Sequence, residues 1–286
     1  MIYIKLFAIS SLFLCLFTCC TNEPESNPVL YVYKGTIKGF VYDATTNAPV
    51  YYAKISTSPK TIEVYTGVDG EFILKDITAG NYVVTAYIEG YDDDTVSVTI
   101  KDKDTINATF SLQDFNVYLD YYPLEIGNYW EYSYHNLPTH SVEIVSDTLI
   151  GNLNYYVAVY RNLPNGSYIE TRYERVDENN ALVYRYFPLE EKEMIIDSLA
   201  AKAGQKFTSN IFMEPYLACY SICFSIKTDE IFGESRKVRN LKQACGTDMP
   251  DYQIVKGLGF YSAAFWRTGG YTLKYAIING VEYGER

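Results

Sequence analysis

Apolar and polar side chains alternate along short stretches of residues 35–113, and turn-forming residues separate these stretches about every ten positions. A repeat of two residues places alternate side chains on opposite faces of a β-strand, so one face can be buried and the other exposed. Residues 36–43 and 82–87 show this alternation most clearly. The pattern predicts a β-sandwich of about seven short strands.

The connections within this stretch carry signals for tight turns. Asp69-Gly70 is typical of a hairpin turn, because glycine readily takes the positive φ that such a turn requires. Further turns are predicted at residues 43–49 and 79–81. Gly39 lies inside a predicted strand, where the missing Cβ lets another backbone approach closely. We therefore expect residues 35–113 to form a domain of their own.

These residues together resemble the carboxypeptidase regulatory-like domain, a sandwich of the transthyretin-like type. The matching positions are Gly39, Val41, Asp43, Thr46, Pro49, Val50, Thr66, Asp69, Gly70, Phe72, Leu74, Ile77, Gly80, Tyr82, Gly90 and Tyr91. The resemblance implies a non-catalytic spacer or interaction module, since enzyme activity in that family belongs to neighbouring domains.

Residues 114–286 show the period of two over most of their length and little of the 3.6-residue period of helices. Turn signals such as Gly151-Asn152, Asn165-Gly166 and Asn279-Gly280 separate the stretches. The predicted strands are residues 141–150, 154–161, 168–176, 181–187, 193–199, 217–228, 234–241 and 272–283. We expect a second, larger antiparallel β-domain, a strongly curved sheet or partial barrel, and hence an all-β protein.

Residues 189–206 allow two interpretations. Glu190-Glu191-Lys192 and the alanines of residues 200–203 favour a helix. Met194-Ile195-Ile196 is a typical β-strand run, and Gly204 would interrupt a helix. We interpret the segment as a strand followed by a turn.

Four pieces of residues 114–286 resemble a recurrent secreted β-domain of Gram-negative bacteria. The pieces are residues 123–130, residues 196–199 with Gly204, residues 256–259 and residues 275–284. The resemblance implies export and a β-fold, and it implies no particular activity.

The N-terminus has the features of an export signal. Residues 1–18 carry one charge, Lys5, followed by an apolar run too short for a lasting membrane span. The sequence LFTC at residues 16–19 resembles the lipobox of bacterial lipoproteins, in which cleavage before a cysteine accompanies attachment of diacylglycerol. The resemblance implies lipidation of Cys19, with Cys20 as the alternative site. A plain cleaved signal is the competing interpretation.

Residues 19–34 are predicted to be a lipidated, flexible tether. The sequence TNEPESNP at residues 21–28 is polar and has nothing to bury. Its acidic residues resemble the signal that sends lipoproteins of some Gram-negative bacteria to the outer face of the outer membrane. We therefore expect a protein anchored by lipid to the outer membrane, on its periplasmic or cell-surface face.

The net charge of −11 restricts the possible partners. A strongly acidic protein has no general electrostatic attraction for nucleic acid or for anionic lipid. We expect the membrane to be contacted through the N-terminal lipid anchor, a protein or glycan as a further partner, and no nucleic acid.

The sequence contains no Gly-x-Ser-x-Gly elbow, phosphate-binding loop or dinucleotide fingerprint. Its two histidines, His135 and His140, lack a third metal ligand at the usual spacing, and we interpret both as solvated loop residues. The acidic run at residues 92–94 is interpreted as a solvated turn rather than a calcium site. We expect no catalytic residue, no metal and no cofactor.

Three cysteines lie in the second predicted domain. Cys219 and Cys223 share one face of a predicted strand but are roughly 13 Å apart, too far for a disulfide with each other. Cys245 follows the next predicted strand, and we expect it to form a disulfide with Cys219 or Cys223, as export permits. A zinc site made of the three thiols is the less favoured alternative.

The chain contains 30 tyrosines, and two pairs of them are candidate sugar-binding residues. Tyr121-Tyr122 and Tyr155-Tyr156 each place one ring on either face of a predicted strand. One ring of each pair is then available to stack on a sugar. The competing interpretation is that these rings are packed or are ordinary surface residues.

Four segments share the order acid, hydroxyl, apolar residue: residues 94–96, 104–106, 147–149 and 197–199. This order resembles the O-glycan acceptor tripeptide of one group of Gram-negative bacteria, and it implies acceptors at Thr95, Thr105, Thr148 and Ser198. We expect Thr95 and Thr105 to be preferred because they flank polar loops, and Ser198 to be least favoured. Chance is the competing explanation, since alternating strands in an acidic chain produce the same order.

Together these features favour a non-enzymatic, membrane-anchored surface lipoprotein with a binding or assembly role. The first alternative is a glycan-binding accessory lipoprotein of a nutrient-uptake system, which exposed aromatic side chains would support. The second alternative is a hydrolase with an unrecognised site.

Overall fold

The structure is a computed structural model, and it describes residues 32–212, 219–245, 250–265 and 269–286. The predicted lipidation sites Cys19 and Cys20 lie outside the described residues. Strands make up most of these ranges, and the one α-helix described in them, α1, spans only Asn116–Leu119. In the same ranges, no helix is long and apolar enough to cross a membrane. The all-β prediction is confirmed.

Residues 34–114, all of which the structure describes, form two four-stranded sheets. The strands are β1 (Lys34–Asp43), β2 (Lys54–Ser58), β3 (Val64–Tyr65), β4 (Glu71–Thr78), β5 (Gly80–Tyr87), β6 (Tyr91–Asp92), β7 (Asp94–Ile100) and β8 (Thr105–Asp114). One sheet has the order β4-β1-β8-β6, and the other has the order β3-β2-β5-β7. β1 runs parallel to β8 and antiparallel to β4. This is the predicted sandwich, with β3 and β6 as very short edge strands.

The two sheets share one apolar core, to which each strand contributes alternate residues. Ile37 and Val41 of β1 are fully buried, and Val84, Phe72 and Phe110 join them from other strands. Burying such a side chain contributes about 1.5–3 kcal/mol relative to leaving it exposed. A register shift of one residue would expose this whole set, so hydrophobic burial determines the register of the strands.

Gly39 and Gly70 occupy positions where a side chain would clash. A Cβ on Gly39 would lie 1.6 Å from the carbonyl oxygen of Ala108 on β8, so β1 could not pair so closely with β8. Gly70 has a φ of 77°, and a Cβ there would lie 2.5 Å from the carbonyl oxygen of Val41. The predicted tight turn at Gly70 is present, but it joins strands of different sheets and is therefore not a hairpin between paired strands.

The described part of residues 129–284 forms one antiparallel sheet of 13 strands. The strands are β9 (Tyr129–Tyr134), β10 (Leu137–Ile150), β11 (Leu153–Asn162), β12 (Tyr168–Asp177), β13 (Leu182–Phe187), β14 (Lys192–Ser198), β15 (Lys206–Thr208), β16 (Tyr220–Ile231), β17 (Glu234–Ala244), β18 (Asp251–Val255), β19 (Gly259–Phe265), β20 (Gly269–Ile278) and β21 (Val281–Gly284). The order runs from β14 down to β9, continues with β20, and ends at β15, while β21 pairs with β20 alone.

The two ends of this sheet meet next to β15. The backbone N–H of Asn210 donates to the carbonyl oxygen of Ile195 on β14 over 3.0 Å. The backbone N–H of Ser209 donates in the other direction, to the carbonyl oxygen of Cys219 before β16, over 3.2 Å. The sheet is therefore a nearly closed barrel, and the predicted strongly curved sheet or partial barrel is confirmed.

Most predicted strands of the barrel are present, including the strand plus turn expected at residues 189–206, which contains β14. Residues 272–283 were wrongly predicted as one strand, because the chain reverses at Asn279-Gly280 between β20 and β21. β9, β15, β18 and β19 were missed. β18 has only five residues, and the small side chains of residues 262–264 in β19 give little apolar contrast.

The barrel has two ends, which its turns distinguish. The turns at residues 135–136 and 163–167 lie at one end, which we call the distal end, because β9 to β12 run alternately up and down. The turns at residues 151–152 and 256–258 lie at the opposite, proximal end. Lys202 is also proximal, and its Nζ lies 2.8 Å from a carboxylate oxygen of Asp92 in the sandwich.

Residues 115–122 connect the sandwich to the barrel and pack against both. The backbone N–H of Phe115 donates to the carbonyl oxygen of Gly90 in the sandwich over 2.9 Å. Tyr118 packs against an apolar core inside the barrel, and Tyr121 is part of that core. The connection is therefore a packed structural element.

Candidate functional site

The barrel encloses a cavity of about 260 Å³. Most of its lining side chains are aromatic or aliphatic. They come from β9 to β13, β19 and β20, from residues 122–124 before β9, and from Ile211 and Phe212 after β15. The charged lining residues among those described are Glu170, Arg172, Glu174 and Arg185. Small-molecule sites are usually concave and mostly apolar, with a few polar groups that converge on the ligand. The cavity has this composition.

The period of two along each strand determines which side chains face the cavity. His140, Val142 and Ile144 alternate along β10, and Ala158 and Tyr160 alternate along β11. The charged lining residues of β12 also stand at every second position. Glu170, Arg172 and Glu174 therefore lie on the face of β12 that lines the cavity, and their charges alternate in sign.

Glu174 and Arg185 form a buried ion pair in the cavity wall, with exposures of 2% and 6%. Arg185 Nη2 lies 2.7 Å from Glu174 Oε1, and Arg185 Nη1 donates to the carbonyl oxygen of Ile211 over 3.0 Å. Tyr122 donates its hydroxyl proton to Glu174 Oε2 over 2.8 Å. Burial, with the charge of Glu174, raises the pKa of Tyr122 well above its ordinary value. Both oxygens of Glu174 are therefore engaged, and this group is a fixed part of the wall.

Arg172 and Glu170 form a second ion pair, which is more exposed than the first. Arg172 Nη2 donates to Glu170 Oε1, and Arg172 Nη1 donates to the hydroxyl oxygen of Tyr160 over 3.1 Å. The guanidinium carbon lies 4.2 Å from the centroid of the Tyr160 ring, a cation–π distance. Within the described part of the chain, Glu170 Oε2 accepts no hydrogen bond. This pair therefore retains an acceptor for a ligand.

His140 lies among the rings of three tyrosines. It stacks on Tyr132, with ring centroids 4.8 Å apart, and the edge of Tyr271 meets it at 4.8 Å. Tyr160 is parallel to it at 6.2 Å. Burial lowers the pKa of His140 to about 4, and the positive charge of Arg172 acts in the same direction. The imidazole is therefore neutral near pH 7.

The hydrogen bonds of Thr139 determine which nitrogen of His140 carries the proton. Thr139 Oγ1 donates its single proton to the carbonyl oxygen of Tyr132 over 3.0 Å. His140 Nδ1 lies 3.0 Å from the same Oγ1, so Nδ1 must be the donor in that contact. Nε2 then carries a lone pair, and none of the described residues donates to it. His140 thus offers an acceptor to a ligand.

Hydrogen bonds also position the aromatic walls of the cavity. Trp130 Nε1 donates to the carbonyl oxygen of Leu258 over 2.6 Å, and the Tyr132 hydroxyl donates to the carbonyl oxygen of Phe260 over 2.9 Å. These bonds engage the polar atoms of both rings, which present carbon surfaces to the cavity. The hydroxyl of Tyr271 differs, because it has no hydrogen-bond partner in the ranges the structure describes.

A third ion pair lies elsewhere in the barrel interior and does not line the cavity. Arg239 and Asp197 are both 0% exposed, and Arg239 Nη1 lies 2.9 Å from Asp197 Oδ2. Arg239 Nη2 also donates to the carbonyl oxygen of Ser198 over 2.6 Å. The ring centroid of Tyr121 lies 5.5 Å from the guanidinium carbon. This pair links β14 to β17, and we assign it a structural role.

One tyrosine of each candidate pair is not exposed and therefore cannot serve as a sugar-stacking surface. Tyr121 and Tyr155 are only 3% and 2% exposed. Tyr121-Tyr122 follows α1 in a turn, so the prediction that this pair lies on a strand was wrong. Tyr155 and Tyr156 do occupy β11, but the Tyr155 hydroxyl donates to Glu193 over 2.5 Å, and Tyr156 is half-buried against the core. Tyr122 lines the internal cavity instead.

The interpretation of His140 as a solvated loop residue was also wrong. β10 begins at Leu137, earlier than predicted, and places His140 inside the strand. A register shift in the pairing of β10 with β9, between Pro138 and His140, accommodates the proline within the strand. His135 is exposed in the turn before β10.

Cys219 and Cys245 form a disulfide, with their Cα atoms 4.9 Å apart. The bond joins the start of β16 to the end of β17 at the distal end of the barrel. Cys223 is the free cysteine of the described ranges, and burial raises the pKa of its thiol. Of the two partners that the sequence left open for Cys245, the structure therefore has Cys219.

The residues that the structure describes contain no cluster of three or more His, Cys, Asp or Glu side chains able to hold a metal ion. In the acidic run at residues 92–94, Asp92 is paired with Lys202, and Asp94 accepts hydrogen bonds from the backbone N–H groups of Thr95 and Ser111. These two carboxylates are therefore engaged with protein groups.

The predicted O-glycan acceptors differ in accessibility. Thr95 in β7 and Thr105 in β8 are exposed, whereas Thr148 in β10 is half-buried. Ser198 is half-buried in β14, and both of its neighbours in the tripeptide are buried. Accessibility thus favours the two sandwich threonines, and their modification stays a prediction.

Sequence reasoning missed the cavity residues of β12 and its neighbours. The signal was present in the sequence YIETRYERV of β12, where Glu170, Arg172 and Glu174 alternate in sign on one face. Arg185 on the next strand provides the matching charge. A strand with charges on both faces must bury some of them once its sheet curves into a barrel.

Comparison with solved structures found only weak similarity. A candidate lipoprotein from Parabacteroides distasonis is 8% identical, with a TM-score of 0.32 over 53% of this chain and 95% of that one. A candidate carbohydrate-binding protein from Bacteroides uniformis is 11% identical, with a TM-score of 0.25 over 88% and 100%. A DUF3823 family protein from Bacteroides ovatus is 13% identical, with a TM-score of 0.22 over 78% and 95%. No curated protein matches the chain.

The family model of the CarboxypepD_reg-like domain matches residues 37–121. The match begins in β1, includes the remaining strands of the sandwich, and ends after α1. It reaches beyond the boundary expected at residue 113 and includes part of the connection to the barrel. Residues 37–121 of this chain are therefore a member of the carboxypeptidase regulatory-like domain family.

Proposed function

We propose that this chain is a lipid-anchored surface protein without enzymatic activity, which binds a small molecule in the cavity of its barrel. The cavity is the observation that carries this proposal. It combines a volume of about 260 Å³ with apolar walls and two free acceptors, His140 Nε2 and Glu170 Oε2. Sites with this combination bind ligands through shape and a few directed hydrogen bonds.

The chemistry of the lining residues supports binding more than catalysis. Glu170 and Glu174 are each paired with an arginine, and His140 is held between aromatic rings. Among the described lining residues, none is a hydroxyl, thiol or amine nucleophile of the Ser, Thr, Cys or Lys type. The regulatory-like domain is itself a non-catalytic module.

We further propose that the sandwich, residues 35–113, is a spacer between the tether and the binding domain, residues 114–286. The ion pair of Lys202 and Asp92 joins the sandwich to the proximal end of the barrel. Ile169 lines the cavity near the distal turns and is 43% exposed. A ligand would therefore enter on the side away from the sandwich.

The anchor is tested by labelling cells of the native host with radioactive palmitate. We expect the wild-type protein and Cys20→Ala to be labelled and Cys19→Ala to be unlabelled. Labelling that persists in Cys19→Ala and disappears in Cys20→Ala would move the lipid to Cys20. An unlabelled wild-type protein would contradict the lipid anchor altogether.

The binding role is tested by filling the cavity. Ala158 is buried in the lining of β11, so Ala158→Phe should occupy the ligand space at a cost of about 1–3 kcal/mol in stability. Val157→Phe is the matched control, because the neighbouring side chain points out of the barrel. A fragment library is screened against all three proteins by ligand-observed NMR, after circular dichroism has shown that they fold.

We expect fragments that bind the wild-type protein and Val157→Phe but not Ala158→Phe. Fragments that bind Ala158→Phe equally well would place the binding elsewhere on the chain. A protein that binds none would contradict the proposed function.

A further inference from the structure

We infer that the cavity accepts a single uncharged sugar ring, either a free monosaccharide or the terminal unit of a glycan, and excludes acidic and basic ligands of the same size. This inference rests on the proposed function and adds the chemical class of the ligand. It also moves the sugar site from the predicted tyrosine surfaces to the barrel interior.

The charges of the lining favour a neutral ligand. Glu170 and Glu174 balance Arg172 and Arg185, and each carboxylate lies in contact with its own arginine. A ligand carboxylate or ammonium would lose its hydration without meeting an unpaired opposite charge, which costs several kcal/mol. An uncharged ligand does not incur this penalty.

The free polar atoms favour a ligand rich in hydroxyl groups. His140 Nε2 and Glu170 Oε2 are acceptors, so they need donors on the ligand. The Tyr271 hydroxyl, which has no hydrogen-bond partner in the described ranges, can donate or accept. A polyol meets all three requirements without a net charge, because each of its hydroxyl groups donates one proton and accepts others.

The remaining walls favour a compact ring with apolar surfaces. Tyr132, Phe260 and Tyr271 present aromatic carbon surfaces, whose negative faces attract the polarised C–H bonds of a sugar ring. The cavity volume of about 260 Å³ lies just below the usual range of small-molecule sites, roughly 300–1,000 Å³. This space suits a small ligand such as one six-membered ring with its substituents.

The position of the free acceptors leaves two sources for the ring. Glu170 and the partly exposed Ile169 both line the cavity near the distal turns. A ring inside the cavity could therefore remain linked to further sugars outside it. A free monosaccharide and a glycan terminus offer the same chemistry to the lining residues.

Isothermal titration calorimetry of the mature protein tests the inference. The probes are methyl glycosides of the common neutral hexoses, 6-deoxyhexoses and pentoses, together with the matching uronic acids and aminosugars. We expect at least one neutral glycoside to bind, and its charged analogues to bind at least tenfold more weakly. A uronic acid or aminosugar that binds as tightly as its neutral counterpart would overturn the inference.

Two variants test the roles of the named acceptors. His140→Phe keeps the aromatic stack and removes Nε2, so it should weaken the neutral glycoside at least tenfold. Glu170→Gln leaves Arg172 without its carboxylate, so it should raise the affinity for the uronic acid relative to the neutral sugar at least tenfold. Thr171→Val, on the outward face of β12, is the matched control and should change neither value.

The outcomes separate this inference from the proposed function. If fragments bind in the cavity and every sugar of the panel fails, the binding role stands and the sugar inference is wrong. If sugars bind but Ala158→Phe binds them equally well, the cavity is not their site, and the inference is likewise wrong. An oligosaccharide that binds more tightly than its terminal monosaccharide would identify a glycan end, and equal affinities would identify a free sugar.

Discussion

The sandwich and the barrel both enclose a core between β-strands, but their interiors differ in chemistry. Aliphatic and aromatic side chains dominate the sandwich core, and its ion pair of Lys54 and Glu63 lies at the surface. The described part of the barrel contains two buried arginine–carboxylate pairs and a third, partly exposed pair that lines its cavity. Taking charges out of water costs free energy that an apolar core does not lose. The interior of the sandwich therefore mainly stabilises the fold, whereas the barrel holds charged groups in place at a cost in stability.

The largest effect is expected from breaking the buried pair of the barrel. Arg239→Met leaves Asp197 as an unpaired charge in the interior, which typically lowers the free energy of unfolding by about 3–5 kcal/mol. Urea denaturation followed by tryptophan fluorescence measures it, because both tryptophans of the chain lie in residues 114–286. Lys237→Met, an exposed substitution on the same strand, should change stability by less than about 0.5 kcal/mol.

Removing the charges of both Arg239 and Asp197 distinguishes the effect of the unpaired charge from the effect of lost packing. The double variant Arg239→Met with Asp197→Leu should recover most of the lost stability, because no unpaired charge remains. A double variant as unstable as Arg239→Met alone would show that packing, rather than charge, explains the loss.

The next effect concerns the sandwich. Leu74→Ala removes a fully buried side chain, and we expect a loss of about 2–5 kcal/mol in its free energy of unfolding. The isolated fragment of residues 35–113 should fold alone and show the same loss, measured by urea denaturation with far-ultraviolet circular dichroism. A fragment that is unfolded, and soluble only with the rest of the chain attached, would contradict the two-domain division.

Lowering the pH should decrease the free energy of unfolding of the barrel by a smaller amount. The pKa of His140 is about 4 in the folded barrel and about 6.5 in an unfolded chain, so the unfolded state takes up the proton first as pH falls. Stability should therefore decrease from pH 6.5 to 4, by at most about 3 kcal/mol. The groups that face His140 are Tyr132, Tyr160, Tyr271, Glu170 and Arg172.

The control for this prediction is His140→Phe, in which the decrease between pH 6.5 and 4 should be smaller by that amount. The sandwich fragment contains no histidine and should lack this contribution. An unchanged pH profile in His140→Phe would show that other groups, such as the cavity carboxylates, cause the dependence.

O-glycosylation should have the smallest effect on stability, and its main measurable effect is on the mass of the protein. Protein purified from its native host should carry hexose-containing increments, and Thr95→Ala and Thr105→Ala should each remove one. Ser198→Ala should remove none, because its tripeptide is mostly buried. Intact-mass spectrometry decides this, and a mass explained by lipid and sequence alone would rule the modification out.

The sandwich could be predicted because the apolar positions of its sequence are the positions that are buried in its core. Alternate residues such as Ile37 and Val41 are apolar where the strand is buried, and Gly39 stands where a side chain would clash. The turn at Gly70 could be predicted because the requirement for glycine there is also local. The sequence could not predict that this turn joins two different sheets, because strand pairing depends on contacts between residues distant in sequence.

The cavity could not be predicted because its inward residues are not uniformly apolar. Glu170, Arg172 and Glu174 occupy positions of β12 that face the cavity, and a hydrophobicity pattern interprets charged positions as solvent-facing. His140 appeared to be a loop residue because Pro138 precedes it, while the observed register shift keeps the proline within the strand. The burial of these groups follows from the closure of the sheet, which local sequence does not encode.

The parallel pairing of β1 with β8 has a mechanical consequence. These two strands are the first and last long strands of the sandwich, and they pair in register from Thr36 with Thr105 to Asp43 with Leu112. A pull between the chain that enters β1 and the chain that leaves β8 acts along the strands in opposite directions. It therefore loads all the hydrogen bonds of the pair in shear at once, instead of opening them one after another. A sandwich with this strand pairing resists stretching, which suits its proposed role as a spacer that transmits force along the chain.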